Sequence, residues 1–439
     1  MRGGSVPETP AGRRRALATV IAVVFIDLLG FGIVIPVLPF YVRSFGVSDV
    51  FIGLLAASYS LTQFLAAPYL GRLSDERGRR PVLMLSLAGA AVAWVVFGFG
   101  GAADRAFGPV AALAVLFLAR GLAGAMGGNI AAAQAYVADV TPREDRAGAL
   151  GLVGAAFGLG FVFGPALGAL FASDPVVAAA DGLLPAFVPT TAYSLPSFAA
   201  AAFSLLALAA AAVALPEPNR TRGTAGPPGI VAPFREALAD AALRPLVVVF
   251  LVASVAFSGV QVAFIPFVAD SFGYDESGAG LLLTYIGVLG VLNQGVVVRQ
   301  VSRRVADARM AVGGAAMLAV ALAALPFAAP LGDLLPTLAL PFGAGPALIV
   351  LLLVLALLST GNSLLNVGIA AVVSRTASDE QQGTAFGVTQ GAGSLGRTVG
   401  PPAMTALYVV AAAAPFLLGA LLTVGTVGVL LGVARGSDA

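Results

Sequence analysis

The chain has no cysteine, no histidine and no lysine, and a single tryptophan. Without cysteine there is no disulfide framework and no thiol chemistry. Without histidine it lacks the commonest metal ligand and the usual proton carrier near neutral pH, so proton-coupled chemistry must use carboxylates. No Ser/His or Cys/His pair can be assembled, and no metal-ligand cluster is visible. The absence of lysine rules out a Gly-rich phosphate loop of the Lys-Ser/Thr type, which argues against an ATP-driven pump. Charge of either sign is scarce, at 10% of residues, and all 24 basic residues are arginine.

Oil is what the chain has in abundance. It is 439 residues long and 59% hydrophobic, with a mean hydropathy of +0.96, far above any soluble globular domain. Its 54 glycines suit helices that approach closely in lipid. The net charge of +2 and a pI near 9.1 do not signal nucleic-acid binding, because the arginines are spread over short loops. Residues 1–15 are polar and precede an apolar run too long for a signal-peptide core, so the first segment reads as a retained helix.

Bilayer-length apolar runs fall at about 16–42, 50–71, 81–101, 109–138, 147–171, 195–215, 245–269, 278–298, 309–329, 346–373, 384–408 and 414–434. Placing the N-terminus in the cytoplasm puts there Arg2, Arg13, Arg14 and Arg15, then Arg72, Arg77, Arg79 and Arg80, then Arg143 and Arg146. It also puts there Arg220, Arg222, Arg235 and Arg244, then Arg299, Arg303, Arg304 and Arg309, and finally Arg375 and Arg435. That is 20 of the 24. Arg43 and Arg105 fall outside, while Arg120 and Arg397 lie within spans. Such an asymmetry predicts that both termini are cytoplasmic.

The chain also repeats itself. Pro39-Phe40, Ser44-Phe45-Gly46, Gly53-Leu54-Leu55 and Arg72 recur at one offset as Pro266-Phe267, Ser271-Phe272-Gly273, Gly280-Leu281-Leu282 and Arg299. Gly151, Gly160 and Gly164-Pro165 recur at a slightly larger offset as Gly387, Gly396 and Gly400-Pro401. The expected fold is therefore an all-α polytopic membrane protein of about twelve transmembrane helices in two six-helix pseudo-repeats. The expected domains are a cytoplasmic tail at 1–15, a bundle at 16–215, a linker at 216–244 and a second bundle at 245–439.

Gly71-Arg72-Leu73-Ser74-Asp75-Glu76-Arg77-Gly78-Arg79-Arg80-Pro81 packs two acids and four arginines between two oily runs. Arginines alone would make it a topological anchor. Two glycines and an acid among them are more than an anchor needs.

Together with Asp27 to Pro39 in span one, Arg120-Gly121-Leu122-Ala123-Gly124 through Asp139 in span four and the glycine run of span five, this hairpin resembles the major facilitator superfamily. The likeness is to its drug/proton antiporters, which include tetracycline exporters, and it covers the whole chain. It implies the major facilitator fold and a multi-pass protein of the cell membrane, not an enzyme. The implied partners are a small-molecule substrate, protons and the lipid bilayer, with no cofactor, no nucleic acid and a monomeric state.

Asp27 lies roughly 16 Å into span one. An acid at that depth is costly and marks a pathway by default. Arg120 enters from the opposite face to a similar depth, and the two are expected to pair in at least one conformation. Paired, Asp27 stays ionised; moved into an apolar site it takes a proton, which would couple proton binding to the side that is open. The resemblance implicates this acid and arginine in coupling and substrate binding. It also places Asp75 of the gate motif (Gly71, Asp75, Gly78, Arg79 and Arg80) against the start of span eleven near Gly383. Asp139 is expected to join Arg79 or Arg72.

Gly154, Gly158, Gly160, Gly164 and Gly168 with Pro165 give span five a face nearly free of side chains. Packing is part of its role, and in the resemblance such a motif goes with antiporters rather than importers. Arg397 would lie near the midplane of span eleven and bias a cavity toward neutral, zwitterionic or anionic substrates over dications. Asn129, Gln134, Gln261, Asn293, Asn362 and Gln390 are candidate substrate hydrogen-bonders, though each alone reads more readily as interhelical glue. Proton-coupled efflux of small amphipathic compounds leads. A symporter or facilitator importing a metabolite, and a transporter-like sensor, stay open.

Overall fold

The computed structural model describes residues 10–127, 129–142, 145–218, 235, 237–240, 243–334, 345–376 and 382–437, which are helical almost throughout. Side chains at a few of these positions, Asn129 and Gln390 among them, fall outside the description, as does most of the expected linker. In lipid every backbone N–H and C=O must be satisfied internally, so oily runs of this length fold as helices. Eleven of the described helices are long and apolar enough to cross a membrane. A further long helix, Gln382–Val410, carries Gln390, Ser394, Arg397 and Thr398 in its first two-thirds, and these lower its hydropathy.

Local chemistry explains where the helices break. Span one runs over Pro10–Val34 and resumes at Leu38–Arg43, interrupted around Pro36, which lacks a donor. Span two is Val50–Arg77 and span three Arg79–Gly98. Span four, expected as one run, is two helices, Pro109–Met126 and Asn129–Val140. The break falls at Gly127, whose carbonyl accepts a hydrogen bond from Gln63 Nε2 of span two at 3.2 Å. A side chain thus satisfies backbone freed inside the bundle. Span five is Arg146–Ala172, followed by a surface helix, Asp174–Leu183, and span six is Ser194–Ala214.

The second half begins with span seven, Leu243–Phe272, and span eight, Glu276–Leu292. Span eight passes through a π-helical turn, Asn293–Val298, before a last turn at Arg299–Val301. Spans nine, ten and twelve are Asp307–Ala324, Pro346–Thr376 and Ala414–Ser437. The internal repeat is visible in the backbone. Gly46 and Gly273, the ends of the two Ser-Phe-Gly triplets, both take left-handed φ, +67° and +70°, and close their helices. Their N–H groups donate to Arg43 O and Ala269 O at 3.0 Å each, the signature of a C-terminal glycine cap.

The chain divides into two compact units. One comprises residues 1–48, 58–227 and 274–287; the other comprises 49–57, 228–273 and 288–439. Within the first, spans one, five and six pack together, and span three packs on six and four. Within the second, span nine packs on ten and twelve, and span seven on eleven and twelve. The start of span two sits in the second unit because Gly53 lies directly against Thr405 and Pro401 of span eleven. The start of span eight sits in the first because Gly280 and Gly287 lie against span five. A Cβ on Gly280 would come within 2.9 Å of Pro165 O, and one on Gly287 within 2.6 Å of Phe161 O.

Candidate functional site

At the arginine-rich end of the first unit, Arg79 is the hub. Its Nη1 lies 2.7 Å from Asp75 Oδ1 and its Nε 2.9 Å from Asp139 Oδ2, and Nη1 also donates to Ser74 Oγ at 3.1 Å. Arg80 turns the other way and donates Nη2 to Ala212 O at 2.5 Å, capping the end of span six. Between them lies a residue that sequence reasoning missed. Glu217, just past span six, accepts from Arg79 N at 2.7 Å and Arg80 N at 2.9 Å, one carboxylate oxygen to each. An acid at a helix N-terminus satisfies orphan N–H groups and complements the positive end of the macrodipole. Gly78 is required for this geometry, since it holds φ +112° and a Cβ there would lie 2.7 Å from Glu217 Oε1. Gly71, in contrast, has open space where a Cβ would go. Tyr136, fully buried, donates Oη to Pro216 O at 2.7 Å and fastens the same junction to span four.

Deeper in this unit Arg120 is only 8% exposed. Its guanidinium lies 4.6 Å from the Tyr59 ring centroid and 6.0 Å from that of Phe31, and its Nε has no hydrogen-bond partner among the described residues. Desolvated cation–π contacts of this kind contribute about 2 kcal/mol. Phe31 also stands edge-on to Phe161 of span five at 6.3 Å. Asp27 is half-buried and borders a cavity of about 10 Å³, close to the space one water needs, with Val24, Leu83, Leu87, Ile130 and Ala133. Asp27 therefore faces spans three and four, while the neighbours of Arg120 are rings. Gln134 is exposed.

Span five sorts its glycines by use. A Cβ on Gly160 would come within 2.8 Å of Leu28 Cβ, and one on Gly164 within 2.6 Å of Gly32 Cα, while Gly168 abuts Ile33 O. These three, at intervals of four, bring spans one and five together backbone to backbone. Gly154 faces open space, and Gly158 is half-buried. The helix is continuous through Pro165.

In the second unit Asn293 is buried and bonds to span ten. Its Nδ2 donates to Ser359 Oγ at 3.2 Å, and its Oδ1 accepts from Thr360 Oγ1 at 3.3 Å. Asn362 accepts from Asn366 Nδ2 at 2.8 Å. Arg397 donates Nη2 to Ser394 Oγ at 2.9 Å, and a Cβ on Gly393 would lie between its Nη1 and Ser254 Oγ of span seven. Gln261 is exposed, and Asn129 and Gln390 fall outside the described side chains, like those around Gly383.

The sequence model of the Major Facilitator Superfamily matches residues 20–401. The chain belongs to the Major Facilitator Superfamily. Among curated relatives, the class C tetracycline resistance protein of Escherichia coli is 31% identical over 406 residues, covering 90% of each chain. The major facilitator superfamily domain-containing protein 10 of Bos taurus is 31% identical over 461 residues, covering 95% of this chain and 92% of its own. Among solved structures, the human organic anion transporter MFSD10 (TETRAN) superposes with a TM-score of 0.66 at 24% identity, over 96% of this chain and all of the other.

For a superfamily transporter, the residues that sequence reasoning missed fall into two kinds. Glu217 had a usable signal, an acid immediately after span six on the arginine-rich side. The Tyr59–Phe31 shelf beneath Arg120 had none, because aromatics in an apolar run carry no mark of which face they take. Two further pairs stand in the second unit. Tyr408 Oη donates to Asp270 Oδ2 at 2.6 Å, and Arg375 Nε lies 2.7 Å from Asp307 Oδ2.

Proposed function

We propose that the protein is a proton-coupled antiporter that exports small amphipathic compounds across the cell membrane by alternating access. The observation that carries this is Asp27, a half-buried carboxylate within span one, beside a cavity of water size and packed among apolar side chains. A carboxyl group in an apolar site favours its neutral form and one beside a cation its ionised form, so a movement of span one that exchanged these surroundings would load and release a proton. The chain has no histidine to do this instead. Similarity over nine-tenths of the length of a tetracycline resistance protein supports the outward direction and the drug class.

Arg120 supports a substrate preference. A buried cation on an aromatic shelf repels dications and accepts planar, zwitterionic or anionic groups. The relatedness to organic anion transporter MFSD10 points the same way. Asp139, Asp75 and Arg79 form the inner gate in this reading, on the cytoplasmic side.

The test is proton flux in everted vesicles loaded by a pH gradient, with tetracycline and a panel of aromatic acids and dications as probes. Proton release on adding tetracycline or an aromatic acid is expected, and Asp27→Asn should insert normally but release none. Undiminished coupled efflux in Asp27→Asn would remove the assignment, and tight dication binding at neutral pH would remove the substrate preference.

A further inference from the structure

Span three carries Arg79 at one end; at its other end, still in the first unit, a short helix, Gly100–Phe107, follows it. That helix and the chain leading from the surface helix, Asp174–Leu183, into span six border a pocket of about 420 Å³. Small-molecule sites commonly measure about 300–1,000 Å³. Arg105 lines the pocket from the short helix; Asp181, Leu184, Val188, Thr190 and Thr191 line it from the connecting chain.

Hydrogen bonds and ring contacts pin these walls. Gly101 N donates to Tyr41 Oη at 2.5 Å, and the Tyr41 ring stacks on Tyr193 with centroids 5.1 Å apart, tying the short helix to the start of span six. Thr191 N donates to Ser194 Oγ at 2.9 Å and Ser194 N to Thr191 Oγ1 at 3.1 Å, so the last residues of the connecting chain are held by their own side chains. Asp181 is steered by Thr190, whose Oγ1 donates to its Oδ1 at 2.5 Å. The pocket is therefore preformed.

Its charges are what distinguish it. Arg105 and Asp181 both border the pocket, yet among the described residues they form no ion pair with each other, and Arg105 makes no hydrogen bond. Asp104, next to Arg105 in the chain, does not line the pocket. One cation and one carboxylate held apart across a single pocket complement a ligand that carries both charges. A ligand of one sign would meet a like charge.

The surroundings are apolar and uncovered. Phe107, Leu183 and Phe187 are 83%, 83% and 78% exposed, and no residue of helix Asp174–Leu183 is buried. At a bilayer edge such side chains reach the acyl region while the pocket meets the headgroups. We propose that this pocket seats the headgroup of a zwitterionic phospholipid from the adjoining leaflet, with its phosphate on Arg105 and its ammonium toward Asp181. The assignment does not depend on which compound the protein transports.

The full chain is placed in mixed vesicles of phosphatidylethanolamine and phosphatidylglycerol and extracted in mild detergent, and tightly retained lipids are counted by native mass spectrometry. Phosphatidylethanolamine should be retained in preference to phosphatidylglycerol. Arg105→Gln should lower retention of both about tenfold, as expected for a lost charge-assisted hydrogen bond, and Arg105→Lys should restore most of it. Asp181→Asn keeps an acceptor for Thr190; it should remove the preference, a change of about two- to fivefold, and leave phosphatidylglycerol bound. Arg105 and Asp181 are exposed, so neither change should move the melting temperature. Equal retention by the parent and Arg105→Gln, or a preference that survives Asp181→Asn, would overturn the proposal. Soluble glycerophosphoethanolamine at millimolar concentration should leave the lipid in place. Its displacing the lipid would show a site for the free headgroup and would overturn the lipid assignment.

Discussion

Removing the Glu217 carboxylate should loosen span three at its start. Glu217→Ala leaves the N–H groups of Arg79 and Arg80 without the acceptors now 2.7 and 2.9 Å away, at a helix N-terminus. A lost N-cap costs about 0.5–2 kcal/mol, and the lost charge–dipole term adds about 0.3–1 kcal/mol. Glu217 is half-buried and water repairs part of the loss, so about 2 kcal/mol is expected. For a unit of roughly this size that lowers the melting temperature by about 4–8 °C. The assay is built into the helix. Trp94, the only tryptophan, lies in span three, is 3% exposed and stands edge-on to Phe97, so its fluorescence reports melting of this element. Glu217→Gln keeps one acceptor oxygen and should lose about half as much. Gly78→Ala should be harmful in the parent, where its Cβ meets Glu217 Oε1, and less harmful beside Glu217→Ala, where only the strain of positive φ remains. A melting temperature within a degree of the parent for Glu217→Ala, or an equal cost of Gly78→Ala in both backgrounds, would refute the reasoning.

Other outcomes follow from the same geometry. Gly164→Ala forces a Cβ to 2.6 Å from Gly32 Cα, so it should destabilise by about 1–3 kcal/mol and lower the yield of folded protein in detergent; Gly71→Ala, with open space, should match the parent. Arg120→Lys should keep its charge but lose the planar stack on Tyr59, with about 1–2 kcal/mol weaker binding of aromatic acids by equilibrium titration and little change in melting. Tyr193, just before span six, has its phenol pushed above the ordinary range by burial and then by Glu276, which it faces. Its proton is therefore held more tightly folded than unfolded, so the stabilisation is complete below about pH 10 and lost as pH rises past that. Tyr193→Phe should flatten the alkaline fall in thermal stability, and an unchanged fall would count against it.

Much of the architecture was legible because lipid allows few answers. Arginines between oily runs marked the loops, and the Ser-Phe-Gly triplets that betrayed the repeat prove to be paired left-handed caps. What stayed hidden depends on contacts distant in sequence or on register. Glu217 acts on backbone 138 residues away, with no side-chain partner to covary with in the eye. The π-turn at Asn293 changes hydrogen-bond register without a sequence mark. The break in span four was hidden by its own composition, since Gly127 continues an apolar run as readily as it ends one. Five glycines along span five look alike in the sequence, yet Gly160, Gly164 and Gly168 are crowded against span one while Gly154 has open space. Asp27 and Arg120 were legible as charges in oil. That the arginine rests on rings could be learned only from the packing.

The contact between spans one and five has a consequence for how this protein can vary. Gly32 and Gly164 meet backbone to backbone, and Gly160 is pressed against Leu28 beside them. Every coding change at these positions adds atoms, so there is no smaller residue through which the fit could drift by degrees. Variation is therefore steered to positions where volume can be removed as well as added, such as the rings beside Arg120. The seam between spans one and five stays fixed.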